Sequence, residues 1–184
     1  MINIETWFPT FIGQEILPDH EKIAKEIVPI CKKLQKKIKY KESGWVATLY
    51  QFDLINNIVY QKVHEYIKAI GGTYTIHTSE GWFNIYKKHD FQEFHCHPNQ
   101  MVSVIYVLKS TRNDPKIIFE RDEGLFNAHF DIDAPALSSK VEYNSVQGNL
   151  LIFRSSLHHC VQMQTHNKER ISLAYNFNLK KLCR

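Results

Sequence analysis

Apolar residues in this chain recur every three to four positions as far as Gly71-Gly72 and every second position beyond it. That change of period places helices in the first part and strands in the second. Ile23, Ile27, Ile30, Cys31, Leu34 and Ile38 keep helical spacing, with Lys and Glu between them and Asp19 as an N-cap. Pro29 falls inside this pattern and predicts a kink or a division of the helix. From Asp53, the residues Leu54, Ile55, Ile58, Val59, Val63, Tyr66, Ile67 and Ile70 describe a second helix, which Gly71-Gly72 stops. Downstream, short β-branched and aromatic runs broken by Asn, Asp, Pro and Gly predict strands near 74–87, 94–97, 101–108, 116–119, 125–132, 140–145, 149–154, 159–163 and 170–179.

Helices that precede the strands rather than alternate with them disfavour a parallel α/β sheet. They predict a mainly β fold with N-terminal helices, a jelly roll of two sheets with the helices outside one of them. A length of 184 residues fits one domain, 1–184, with 1–72 as a helical region on the sheet and 73–184 as the β core. A hydrophobic share of 43% excludes wholesale disorder. The formal charge of +4 is spread along the chain, and the lysines of KKLQKKIKY read as a solvated helix face, so nucleic acid is not expected as a partner. Cys31, Cys96, Cys160 and Cys183 show no CxxC spacing, which argues against a zinc ribbon or a disulfide framework and for a reducing compartment. With no signal-peptide pattern and no apolar run of about 20 residues, the expectation is a soluble cytoplasmic protein without a membrane partner. The N-terminal helices offer a surface for a homodimer.

The ten histidines are many for this length, and three have informative neighbours. His95 and His97 in EFHCHPNQ stand at i and i+2, on one face of an extended backbone and close enough to share a metal ion. The bland alternative is a pair of hydrogen-bonded surface histidines beside a turn. In LHHCV, His158 and His159 point to opposite faces, so at most one of them joins such a site. Cys96 turns away from both imidazoles and reads as packing, as do Trp45 and Trp82; His89, His129 and His166 read as surface or loop residues. The last strand, RISLAYNFN, separates a greasy face (Ile171, Leu173, Tyr175, Phe177) from a small polar one (Arg170, Ser172, Ala174, Asn176). That second face is either exposed, or a lumen strip where Arg170 and Ser172 grip one carboxylate through guanidinium and hydroxyl together.

The segments WFPTFIG, SGW, GWFNIY, HCHPNQMVSVIYVL, IIFERD, GNLLIFRSSLHHCV and ERISLAYNFN resemble the 2-oxoglutarate/Fe(II)-dependent oxygenase superfamily, more narrowly its bacterial and phage 2OG-Fe(II) oxygenases. The resemblance implies a double-stranded β-helix, a cupin-like jelly roll, with Fe(II) as cofactor and 2-oxoglutarate as co-substrate. It implies O2 and an unidentified prime substrate as further reactants, with hydroxylation, succinate and CO2 as the outcome. Carried over by position, His95 or His97 supplies the first metal ligand and His159 the distal one. Arg170 and Ser172 bind the far carboxylate of 2-oxoglutarate, and Asn84 and Tyr106 lie on strands lining its pocket. The superfamily's usual carboxylate ligand is missing, since two positions after His95 stands His97 and two after His97 stands Asn99. Either His95, His97 and His159 form a three-histidine site, or His97 comes first and Glu93 or Asp90 turns inward. A three-histidine cupin-like metalloenzyme that does not use 2-oxoglutarate, and a non-catalytic jelly-roll binding protein, are the alternative readings. Specificity is expected in the loops around 89–93 and 121–140.

Overall fold

The computed structural model describes residues 9–37, 48–49, 52–121 and 138–182. Helix α1 spans His20–Lys37 and α2 spans Asp53–Ala69. Helix α1 runs unbroken through Pro29 rather than dividing there. The Pro29 ring and Lys25, whose carbonyl loses its partner, are both exposed, so water can serve the freed group. Ile23, Ile27 and Cys31 are buried as expected, but Ile30 is exposed. Ala24 and Val28 join the core and turn the buried stripe away from it. Helix α2 ends where the glycines predict: Gly71 sits at φ 81°, its N–H donates to the Lys68 carbonyl, and the Gly72 N–H donates to that of Ile67, a Schellman cap. Among the described residues no helix is long and apolar enough to cross a membrane.

The strands are β1 (Ile12–Ile16), β2 (Thr48–Leu49), β3 (Tyr74–Tyr86), β4 (Gln92–His95), β5 (Val102–Lys109), β6 (Ile117–Glu120), β7 (Lys140–Tyr143), β8 (Asn149–Arg154), β9 (His158–Val161) and β10 (Arg170–Lys181). They form a six-stranded sheet in the order β1-β8-β5-β10-β3-β2 and a four-stranded sheet in the order β4-β9-β6-β7, with antiparallel pairing throughout. Eight of these strands fall where the alternation places them, within a few residues at their ends. Strands β1 and β2, the two edges of the larger sheet, carry no readable alternation, and backbone pairing with β8 and β3 makes them strands. The strand expected at 125–132 lies outside the described residues, as do SGW, Trp45, His129 and Cys183.

Two apolar layers result. Buried residues of α1 and α2 pack against Val102, Val104, Tyr106 and Leu108 of β5 and Ile171, Leu173, Tyr175 and Phe177 of β10. On the other side of the same sheet, Ile105, Val107, Leu151 and Phe153 meet Ile117, Phe119 and Val161 of the smaller sheet. The central strands are covered on both faces, which is why VSVIYVL is apolar apart from the cavity-facing Ser103 and the Tyr106 hydroxyl. The space between the sheets opens at one end into the site.

Candidate active site

Strand β10 delivers its polar strip to the interior. Arg170, Ser172, Ala174 and Asn176 pair with Tyr86, Asn84, Trp82 and Glu80 of β3, rung by rung, and all eight line one cavity of about 420 Å³. Burial of the whole strip removes the exposed-strand alternative.

The smaller sheet supplies the imidazoles. His95 on β4 pairs directly with His159 on β9, and His97 follows in the next turn, anchored by its N–H to the Ser155 carbonyl (2.8 Å). Their ring centroids are 4.2 Å (His95–His159), 5.0 Å (His95–His97) and 5.3 Å (His97–His159) apart. One nitrogen from each lies within 4.8 Å of the others, a spacing that can hold one metal ion. Nδ1 of His159 meets the Leu157 carbonyl at 2.9 Å and Nδ1 of His95 meets the Glu93 carbonyl at 2.8 Å. Because a carbonyl only accepts, each Nδ1 carries the hydrogen, which leaves Nε2 as the atom that a neutral ring would offer to a metal. Burial, reinforced by the His95 charge, pushes His159 down to about 3. The same two causes lower His97. These rings are held neutral, the state a metal requires.

Asp90 and Glu93 do not turn inward. Asp90 accepts the Lys87 N–H (2.7 Å) within its own turn, and Glu93 is exposed. Among the described residues the cluster is His95, His97 and His159, without a carboxylate. His158 stays on the outer face, and Cys96 is only partly buried.

At the other end of the cavity Arg170 is wholly buried. Its Nε donates to Ser145 Oγ (3.0 Å), its guanidinium carbon lies 4.9 Å from the Tyr86 ring centre, the Tyr86 hydroxyl and the Asp114 carboxylate favour its charge, and among the described residues neither terminal nitrogen makes a well-formed hydrogen bond. Burial lowers its pKa, yet a guanidinium keeps its charge. A buried cation with two unused donors is costly unless an anion meets it. Ser172 and Asn84 border the same space, and Asn84 Oδ1 is also unpartnered. Tyr106 is placed elsewhere: alternation on β5 turns it into the helix-facing core, where burial raises its pKa, and it does not line the cavity. Residues the motifs did not single out complete the site. Tyr86, Glu80 and Trp82 form part of the wall, with the Trp82 ring 6.1 Å from that of His97, and Ser145 holds Arg170 in place. Period-2 counting in both directions from Asn84 along β3 is the signal that reaches the first three. His166 lies in a loop, as expected, and meets the buried Asp114 at 3.1 Å.

Facing sheets with three imidazoles and a buried cation in one cavity define a metal-binding double-stranded β-helix protein. A family model described as "Putative 2OG-Fe(II) oxygenase" matches residues 80–176, just over half of the chain and a span holding every cavity residue named above. The chain belongs to that family, and is thereby an oxidoreductase that uses Fe(II) and 2-oxoglutarate. Solved structures agree on the fold. A Pseudomonas putida prolyl-4-hydroxylase superimposes with a TM-score of 0.61 at 16% identity, covering 94% of this chain and 88% of that one. A 2OG-Fe(II) family oxidoreductase from Burkholderia pseudomallei gives 0.58 at 16% identity, covering 90% and 85%. The viral collagen prolyl hydroxylase of Paramecium Bursaria Chlorella virus-1, solved with 2OG, gives 0.57 at 12% identity, covering 94% and 96%. No curated protein matches the chain in sequence.

Proposed function

We propose that the protein hydroxylates a small organic group, coupling that oxidation to conversion of 2-oxoglutarate into succinate and CO2. The carrying observation is the unpaired guanidinium of Arg170 at the bottom of the cavity whose upper wall holds His95, His97 and His159. A diacid that chelates a metal with one end and reaches an Arg with the other fits that arrangement. When bound, Fe(II) and 2-oxoglutarate supply the oxidising power: one oxygen atom of O2 goes into the carboxylate of succinate and the other into a substrate C–H bond.

The residues supply position and charge. His95, His97 and His159 present Nε2 lone pairs as ligands; with three neutral imidazoles and no carboxylate, the site carries one negative charge fewer than a two-histidine, one-carboxylate set. Arg170 donates two hydrogen bonds to the far carboxylate, with the Ser172 hydroxyl as a third donor. Asn84 borders the cavity between the two ends, with Tyr86 beside Arg170 and the Phe153 ring 4.8 Å from that of His159 as apolar wall. The reading is tested with wild-type protein, Fe(II) and 2-oxoglutarate: an anaerobic charge-transfer absorption band and, with air, succinate formation are expected. Absence of both would refute it.

A further inference from the structure

The cavity continues past the metal ligands, and its far end has a different chemistry. Beyond Trp82 the next rung on the interior face is Glu80, paired across β3–β10 with Asn176, which in turn pairs with Ser103 of β5. Glu80 is the acidic side chain of the cavity lining, and it is partly buried. A hydroxyl-and-amide chain fixes it. Ser155 and Ser103 hydroxyls lie 2.8 Å apart, Ser103 donates to Asn176 Oδ1 (2.7 Å), and Asn176 Nδ2 donates to Glu80 Oε1 (2.9 Å). The Gln100 amide also reaches Oε1, at 3.5 Å. These are neutral donors, and among the described residues no Lys or Arg forms an ion pair with Glu80. Among the described residues both contacts fall on Oε1 and none on Oε2. The Trp82 indole stands two residues away on the same face, about 7 Å along the strand.

We propose that Glu80 and Trp82 form a subsite for a cationic nitrogen, an ammonium or guanidinium group carried by the prime substrate, on the side of the metal centre away from Arg170. A fixed carboxylate and an indole lining one end of a cavity can attract an organic cation twice, by charge-assisted hydrogen bonding and by cation–π contact. The opposite charges at the two ends also sort the reactants. The diacid is drawn to Arg170 and repelled by Glu80, while a cationic substrate is steered the other way. This rests on the reading of the histidines as metal ligands and Arg170 as co-substrate anchor.

The test uses protein loaded with Mn(II) and 2-oxoglutarate and two probes of equal chain length, n-pentylammonium and 1-pentanol. Proton relaxation of each probe near the paramagnetic ion is compared with that in Zn(II)-loaded protein, and calorimetry follows 2-oxoglutarate binding in parallel. The expected result is saturable relaxation of n-pentylammonium, with affinity at least about tenfold above that of 1-pentanol. Glu80→Gln, which keeps the acceptor for Asn176, should abolish that preference while 2-oxoglutarate still binds at least as tightly, since the repelling charge is gone. Glu80→Lys should turn the preference toward pentanoate. Equal binding of the two probes, or a preference that survives Glu80→Gln, overturns the subsite, and intact 2-oxoglutarate binding in those samples leaves the co-substrate reading standing. Loss of 2-oxoglutarate binding in wild-type protein with the ammonium preference retained would instead sink the co-substrate reading alone.

Discussion

Arg170 is a wholly buried charged group whose terminal nitrogens, among the described residues, meet no hydrogen-bonded anion, with the Asp114 carboxylate acting on it only through its field. Replacing such a group by an apolar side chain of similar length relieves its desolvation, whereas removing it from a co-substrate complex breaks two charge-assisted hydrogen bonds. Arg170→Met should therefore leave the melting temperature of the metal-free protein unchanged or raised while weakening 2-oxoglutarate binding by about a hundredfold, roughly two hydrogen bonds to a charge. A variant that melts lower and still binds 2-oxoglutarate would contradict the assignment. His159 gives a pH dependence with a definite sign. Its folded pKa is about 3 against 6.5 in the ordinary state, so the folded protein binds fewer protons than the unfolded one below 6.5. The stability this group supports is fully present above pH 6.5 and drains away as pH falls toward 3. Denaturation of metal-free protein at pH values across that interval should show the loss, and His159→Gln should flatten the slope. Arg170 with Ser172 was legible in sequence because β10 alternates large apolar with small polar residues. Tyr106 was not, because β5 is nearly apolar on both faces and the single Ser103 is too little alternation to label one of them as inside.

Two glycines set the ends of elements through left-handed backbone, and they differ in their surroundings. Gly71, at φ 81°, caps α2 in open space, with no atom beyond its chain neighbours within 4 Å of where a Cβ would stand. Gly148, at φ 88°, leads into β8 with its Cβ position 2.6 Å from His20. Gly71→Ala should cost about 1–2 kcal/mol from the left-handed conformation alone. Gly148→Ala adds overpacking of about 1–3 kcal/mol against the first turn of α1. Urea unfolding of the two variants should rank them in that order, and the reverse ranking would mean the α1–β8 contact yields freely. The Gly71-Gly72 stop was readable because the chemistry of a Schellman cap is local. The β1 strand was not, because an edge strand such as IGQEI is defined by its partner rather than by its own pattern.

For the molecule as a whole, the cavity joins two sheets at a histidine cluster and a cation, so a ligand bridging a bound metal and Arg170 would couple them. Mn(II) at about a hundred times its dissociation constant should add about 2.7 kcal/mol to stability. 2-Oxoglutarate should raise the melting temperature more with Mn(II) present than without it; equal shifts would mean the diacid does not bridge metal and Arg170. The amino-acid order alone determined the helix-then-strand plan, the polar strip of β10, and the HxH and distal histidines, because periodicity and the alternation of faces are properties of the local backbone. Only the tertiary structure decided that His97 and not Asp90 or Glu93 completes the cluster, that the β3 face shared by Asn84, Trp82 and Glu80 is the one bordering the cavity, and that Tyr106 does not border it. Those outcomes depend on which strands lie across from one another and what covers each face, and antiparallel pairing between residues as distant as Glu80 and Asn176 leaves no trace in either segment read by itself.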